Sequence, residues 1–322
     1  MTYAANLPTA NVSIAPGLES PTTDEFTVSL GYELPRGGYV KATYIDRSVS
    51  SFIENFTTLA EGFTDVPLVG QVDNVVFRNT DALSRDYQAI QIASRYRITN
   101  NWAVEGNYTY QLKNEGNFEG QDTNQPGISS VFGDYPEVLP VERFAPVGNL
   151  EGYQEHKFRL WTSYNFDFGR AGNLTAGVLF SFDSGAAYSI ADENFDLALL
   201  GPAGRFAARN VGYKNEPGTR TLFFGERGTE NFDDVSTVDL AVTYAIPVWK
   251  SVEPWVKLEL RNIFDTVEAI DGQTSVRANV NGPKDQFGLP TTYTEGNFGQ
   301  PTDAVNHFNT PQEFRASIGV RF

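Results

Sequence analysis

The sequence predicts an all-β fold: an antiparallel, up-and-down transmembrane β-barrel present in part, with about nine strands of a larger barrel. Three observations predict it. Nine segments alternate apolar and polar residues with period two, and their connections are by turns short and long. The chain closes on Glu-Phe-Arg-Ala-Ser-Ile-Gly-Val-Arg-Phe, in which Phe314, Ala316, Ile318, Val320 and Phe322 alternate with Arg315, Ser317, Gly319 and Arg321. Successive strand side chains point to opposite faces, so one face suits lipid and the other a wet lumen. Among 322 residues, 40% are hydrophobic and no run of about 18 apolar residues forms a membrane helix. The 24 Phe, 15 Tyr and 29 Gly suit many strands.

The first strand is read near Glu25–Leu34, with Phe26, Val28, Leu30 and Tyr32 on one face. The second, Tyr39–Ser48, sets Val40, Ala42 and Tyr44 against Lys41 and Thr43. The third, Tyr87–Ile98, sets Ile90, Ile92 and Tyr96 against Gln91, Arg95 and Arg97. In the fourth, Trp102–Lys113, Val104, Tyr108 and Tyr110 oppose Glu105, Asn107 and Thr109. In the fifth, His156–Phe168, Phe158, Leu160, Tyr164 and Phe166 oppose Lys157, Arg159 and Ser163. The sixth, Asn173–Ser184, carries Leu174, Val178, Phe180 and Phe182 against Thr175, Ser181 and Asp183. The seventh, Thr237–Pro247, carries Val238, Leu240, Val242 and Tyr244 against Asp239 and Thr243. The eighth, Pro254–Phe264, carries Val256, Leu258 and Leu260 against Lys257, Glu259 and Arg261. The C-terminal strand is the ninth.

Pro35–Gly38, Thr99–Asn101, Gly169–Gly172 and Val248–Glu253 are read as tight turns, and residues 49–86, 114–155, 185–236 and 265–312 as long loops. Long loops confined to one side match a barrel with short periplasmic turns and long external loops. With the C-terminus periplasmic, the first strand runs inward, and residues 1–24 read as the end of another external loop. Residues 1–322 form a single barrel segment that starts in mid-loop, and Met1 opens no secretory signal. Its two free strand edges carry unpaired N–H and C=O groups, each costing several kcal/mol in hydrocarbon, so the isolated chain is not expected to insert as a stable monomeric barrel. Trp102, Phe168, Trp249, Trp255 and Phe322 all fall on the short-turn side and suggest an aromatic girdle.

Chemistry points away from catalysis. There are no cysteines, and the two histidines, His156 and His307, have no partner at metal-ligand spacing, so no metal or cofactor is expected. The net charge of −16 argues against nucleic acid. Arg95, Arg97, Glu105, Arg159, Asp239, Lys257, Glu259, Arg261, Arg315 and Arg321 are all expected to line the lumen. Phe132, Tyr135, Phe144, Tyr153, Phe223, Phe224, Tyr293 and Phe298 lie in the loops, where aromatic rings either grip a ligand or tie loops together. Phe314, Ile318, Val320 and Phe322 form the candidate assembly signal.

Three stretches carry a family resemblance. They are Leu258-Glu-Leu-Arg-Asn-Ile-Phe-Asp265; Tyr293-Thr-Glu-Gly-Asn-Phe-Gly-Gln-Pro-Thr302 followed by Asn309-Thr-Pro-Gln-Glu-Phe-Arg315; and the strand pair in Asp24–Leu34 and Gly38–Asn55. In this order they resemble the C-terminal barrel of TonB-dependent outer-membrane receptors, most closely the Oar-like branch. The sequence departs from that pattern at Pro311, which is followed by Gln312 and Glu313 rather than Arg, and no plug domain or TonB box is present in it. The resemblance implies a complete barrel of about 22 strands, of which this chain supplies the last nine, a Gram-negative outer-membrane location, active uptake of a scarce bulky extracellular ligand, and no enzymatic activity. It also implies a plug domain and TonB as partners through a missing N-terminal part, the barrel-assembly machinery as reader of the last strand, and contact with membrane lipid. Two alternatives are a structural or adhesive barrel without transport, which predicts no plug sequence upstream, and a soluble carbohydrate-binding β-sandwich, which predicts extraction without detergent.

Overall fold

The computed structural model describes residues 11–118, 133, 135–200, 212–248, 252–303 and 306–322. Nine long strands build one antiparallel sheet, to whose fourth strand the two-residue strand Gly148–Asn149 is added: β1 (Thr22–Leu34), β2 (Gly38–Ser50), β3 (Arg85–Arg97), β4 (Trp102–Gly116), β5 (His156–Asp167), β6 (Asn173–Asp183), β7 (Val235–Ala245), β8 (Glu253–Arg261) and β9 (Glu313–Arg321). Their spatial order is their sequence order, and the sheet runs from β1 to β9 without closing. This is a partial barrel wall, as the period-two pattern predicts. The strand ends differ from the expected ones by at most three residues. The eighth strand stops three residues early because Asn262 takes a left-handed conformation (φ 46°).

Register assigns the faces. Directly paired residues point the same way, and Lys41, Ala93, Asn107, Arg159, Ser181 and Thr237 form one continuous row across β2–β7. Odd-numbered residues share this polar face in every strand. The exception is the outer end of β4, beyond a bulge where Gln111 and Lys113 oppose Ala89 and Gln88. Even-numbered residues form the opposite face, as in the row Ile92–Tyr108–Phe158–Phe182 and the row Val178–Leu240–Leu260–Phe314. That face is left uncovered: Leu30 is 79% exposed and Ile318 81%. Moving a side chain of this size from water into lipid is worth about 1.5–3 kcal/mol.

One aromatic departs from the expected girdle. Trp255 lies at the short-turn end, but it pairs with Ala245 and Gly319 on the polar face. A Cβ on Gly319 would stand 2.4 Å from the indole, so the glycine makes room for the ring. Trp102 keeps the even face, donates Nε1–H to Thr162 Oγ1 (2.8 Å) and packs on Tyr164. Trp249 lies outside the described residues.

The long connections are not simple loops. Phe52–Phe56, Phe63–Val66 and Gly70–Thr80 form a small sheet, which Asn11–Ile14 joins in parallel to Gly70–Thr80. Ala191–Phe195 pairs with Arg220–Phe223, and Arg277–Ala278 with Tyr293–Thr294. The buried core lies here rather than between strands. Phe144, Phe195, Leu197, Leu222 and Leu289, drawn from three different long connections, pack together, with Leu222 and Leu289 at 0% exposure. These segments make a cap at one end of the sheet, and the short turns occupy the other.

Candidate functional site

The polar face brings together all ten charged residues singled out in the sequence. Eight of them take part in a ladder of ion pairs, among them Arg95–Glu105 (3.2 Å), Lys257–Glu259 (2.7 Å), Arg261–Glu313 (3.2 Å), Arg315–Glu313 (3.3 Å) and Arg321–Glu253 (3.2 Å). Arg159 forms a two-pronged pair with Asp183 (2.9 and 2.6 Å). Most of these groups are partly exposed, so each pair adds only about 0–1 kcal/mol. Their effect is to keep a charged wall in a fixed geometry. Glu253 and Glu313 were not singled out in the sequence, although their odd positions in two-faced strands mark them as members of the same face.

In the cap, Arg143 holds three long connections together. Its Nε donates to Phe223 O (3.0 Å), one terminal nitrogen to Pro290 O (2.7 Å), and the other pairs with Asp285. The Asp285 carboxylate also accepts the N–H groups of Phe287 and Leu289, both at 2.9 Å. Asp73 joins the first and third connections by accepting the N–H groups of Lys214 (3.0 Å) and Asn215 (2.8 Å). Asp192 accepts Ala278 N–H (2.9 Å) from the fourth. Tyr213 donates to Glu137, and burial, then that hydrogen bond, holds its hydroxyl well above the usual tyrosine range. Burial likewise raises Tyr153 and Tyr188, with Glu155 and Glu230 adding to it.

The loop aromatics separate into two groups. Tyr135, Phe144 and Phe223 are buried in the cap core, where Tyr135 meets Tyr213 edge-on and Arg227 covers Phe223. Tyr153, Phe224, Tyr293 and Phe298 keep part of their surface open; Phe224 packs on Tyr293 and Phe298 on Tyr188. Phe132 lies outside the described residues. His156 sits on the even face at the cap end of β5, with its Nδ1 2.9 Å from Tyr108 Oη. His307 Nδ1 accepts Thr302 N–H (3.0 Å). Among the described residues, no three His, Asp or Glu side chains gather as metal ligands.

The two C-terminal sequence motifs meet at the base of the fourth connection. Asn262 is buried, donates from Nδ2 to Thr266 O (2.8 Å) and Thr310 O (3.1 Å), and accepts Thr266 N–H (3.0 Å). Its own N–H is taken by Asp239 Oδ1 (2.8 Å). Asn309 accepts Glu268 N–H (2.8 Å), and Asp265 accepts Gln312 N–H (3.2 Å). The motifs therefore form a clasp that returns the chain from β8 to β9. Beside the clasp, on the polar face, lies a cavity of about 410 Å³ bounded by Arg159, Asp183, Thr237, Asp239, Arg261 and Asn262.

No family model matches the sequence. A curated relative, the TonB-dependent transporter Oar of Myxococcus xanthus, is 23% identical over 335 aligned residues, covering 96% of this chain and 28% of that protein. The chain thus spans under a third of the relative's length. Solved structures superpose loosely. The outer membrane transporter YddB from Escherichia coli matches at 10% identity and TM-score 0.49, over 98% of this chain and 35% of that one. The siderophore receptor PirA from Acinetobacter baumannii matches at 12% and 0.47, over 94% and 32%. The ferripyoverdine receptor of the Pseudomonas aeruginosa outer membrane matches at 12% and 0.46, over 94% and 27%. The Oar-like resemblance read from the strand ends thus extends along nearly the whole sequence: over 96% of its length the chain is similar to a TonB-dependent transporter.

Proposed function

We propose that this chain is barrel wall and external cap of a TonB-dependent receptor that takes up a scarce, bulky ligand across the outer membrane. The observation that carries the reading is the nine-strand meander itself. It has one apolar face and one charged face, short turns at one end and an interlocked cap at the other, and it aligns with a TonB-dependent transporter over 96% of its length. In this reading the apolar face meets lipid and the charged face lines the lumen, gripping a plug domain supplied by the N-terminal part of the receptor. The partly open rings of Tyr153, Phe224, Tyr293 and Phe298 contact ligand. Strand β9 is read by the barrel-assembly machinery. TonB acts through the plug, and no chemical transformation takes place.

Comparative depletion of a complex medium tests the proposal. Cells with and without the gene are grown with and without a protonophore, and the remaining solutes are compared by mass spectrometry. A solute consumed only by energised, gene-bearing cells is the expected result. If no solute meets both conditions, the transport reading fails.

A further inference from the structure

The cavity beside the clasp has an unusual charge arrangement. Arg159 and Asp183 pair through two hydrogen bonds, Arg159 also donates to Phe158 O and Phe182 O, and the two side chains form one wall. Asp239 and Arg261 line the same cavity, and each makes its polar contact with a different group. Arg261 turns to Glu313 through a single 3.2 Å contact, and Asp239 uses Oδ1 for the Asn262 N–H. These contacts occupy one oxygen of Asp239 and one terminal nitrogen of Arg261, and the second oxygen and the other guanidinium nitrogens are the atoms on which the proposal rests. Ser181 and Thr237, paired directly across β6 and β7, set two hydroxyls in the floor. The lining combines two cations with two anions, so the site as a whole favours neither free anions nor free cations. The volume, about 410 Å³, falls in the range of small-ligand sites.

Resting on the receptor reading above, we propose that this cavity binds a zwitterionic group, an amino acid or short peptide with free ends. The ammonium lies toward Asp239, the carboxylate lies toward Arg261, and the hydroxyls hold the polar atoms between them. The cap above favours the ammonium end. The connections spanning residues 51–84, 117–155, 184–234 and 262–312 hold 26 acidic against nine basic residues, which raises the local concentration of cationic groups. Of those basic residues, Arg78, Arg143, Lys214 and Arg227 lie over aromatic rings of the cap.

The test uses the protein in outer membranes of cells that express it, with labelled trialanine as probe and N-acetyl-trialanine amide and maltotriose as competitors. Saturable trialanine binding is expected, with the capped peptide at least about tenfold weaker, since each end loses a charge-assisted hydrogen bond. Asp239→Asn keeps an oxygen for the Asn262 N–H and so preserves the clasp. Asp239→Asn and Arg261→Gln, compared at equal membrane levels, should each weaken binding about tenfold or more. Absence of saturable binding, equal competition by the capped peptide or by maltotriose, or unchanged affinity in both variants would overturn the proposal. Energy-dependent uptake of a solute without paired ammonium and carboxylate groups would leave the receptor reading standing and defeat this one alone.

Discussion

Replacing Arg143 with Ala should loosen the cap while leaving the strand wall intact. The side chain is only 14% exposed and its Asp285 partner 18%. The substitution removes the ion pair, the bonds to Phe223 O and Pro290 O, and the guanidinium over Phe224. Removing one partner of a buried pair costs about 3–5 kcal/mol, much of it from the charge left behind. A loss of about 3 kcal/mol raises the open population roughly a hundredfold. The assay is tryptic cleavage after Arg277 and Lys284, both exposed in the fourth connection, in outer membranes carrying the protein. When the cap recloses faster than trypsin cuts, the cleavage rate follows the open population. The rate should rise by about ten- to a hundredfold. Arg143→Lys, which keeps the charge but loses the forked geometry, should fall between. Arg170→Ala in a short turn should leave cleavage unchanged. A rate within about threefold of wild type for Arg143→Ala would refute the view that this residue joins the loops.

Gly319→Leu should displace Trp255 and lower the folded yield, since overpacking costs about 1–3 kcal/mol. Adding Trp255→Ala should restore the yield, and failure of that rescue would count against the contact. Tyr213 has a raised folded pKa, so its contribution to cap stability is complete below the usual tyrosine value of 10.0 and is lost as pH climbs above it. Tryptic susceptibility of the cap should therefore increase as the pH rises above about 10, where an unfolded tyrosine ionises. The increase should be smaller in Tyr213→Phe, and an identical pH profile would remove Tyr213 from the account. Deleting Phe322, 89% exposed, costs the fold little, so a drop in outer-membrane level reports recognition of the last strand. Unchanged levels would rule out that role.

Strands and faces were legible in the sequence because their rule is local. Period two repeats within each segment, and placing Arg95, Arg159 or Arg261 needs only the parity of its own strand. Trp255 shows the limit. Its odd parity with Lys257 and Arg261 already sets it on the polar face, and what only the pairing shows is that Gly319 makes room there for the ring. The cap was not legible for a similar reason. Leu222, Leu289 and Phe144 stand in Gly- and Asn-rich stretches with no periodicity, and their contacts cross more than 60 residues of chain. The clasp falls between these cases. Asn262 and Asn309 lie in stretches that suggested a family, yet the reason those amides suit the site is a set of backbone bonds that no spacing reveals.

The placement of apolar residues in this chain has a consequence for assembly. In a water-soluble sheet protein the strand faces would make the core, and folding would gain from burying them first. Here the strand faces stay open to the surroundings and the dry core sits in the connections. That core joins Phe144, Phe195, Leu222 and Leu289, between the first and last of which the sequence runs through β5, β6, β7 and β8 of the wall. Closing such separated segments in a free chain carries a loop-closure cost that prior pairing of β4–β8 removes. This cost predicts that cap formation follows strand pairing. The cap then draws the cap-side ends of β4 through β9 together, and the bonds of Arg143 and Asn262 are made after the wall has its register.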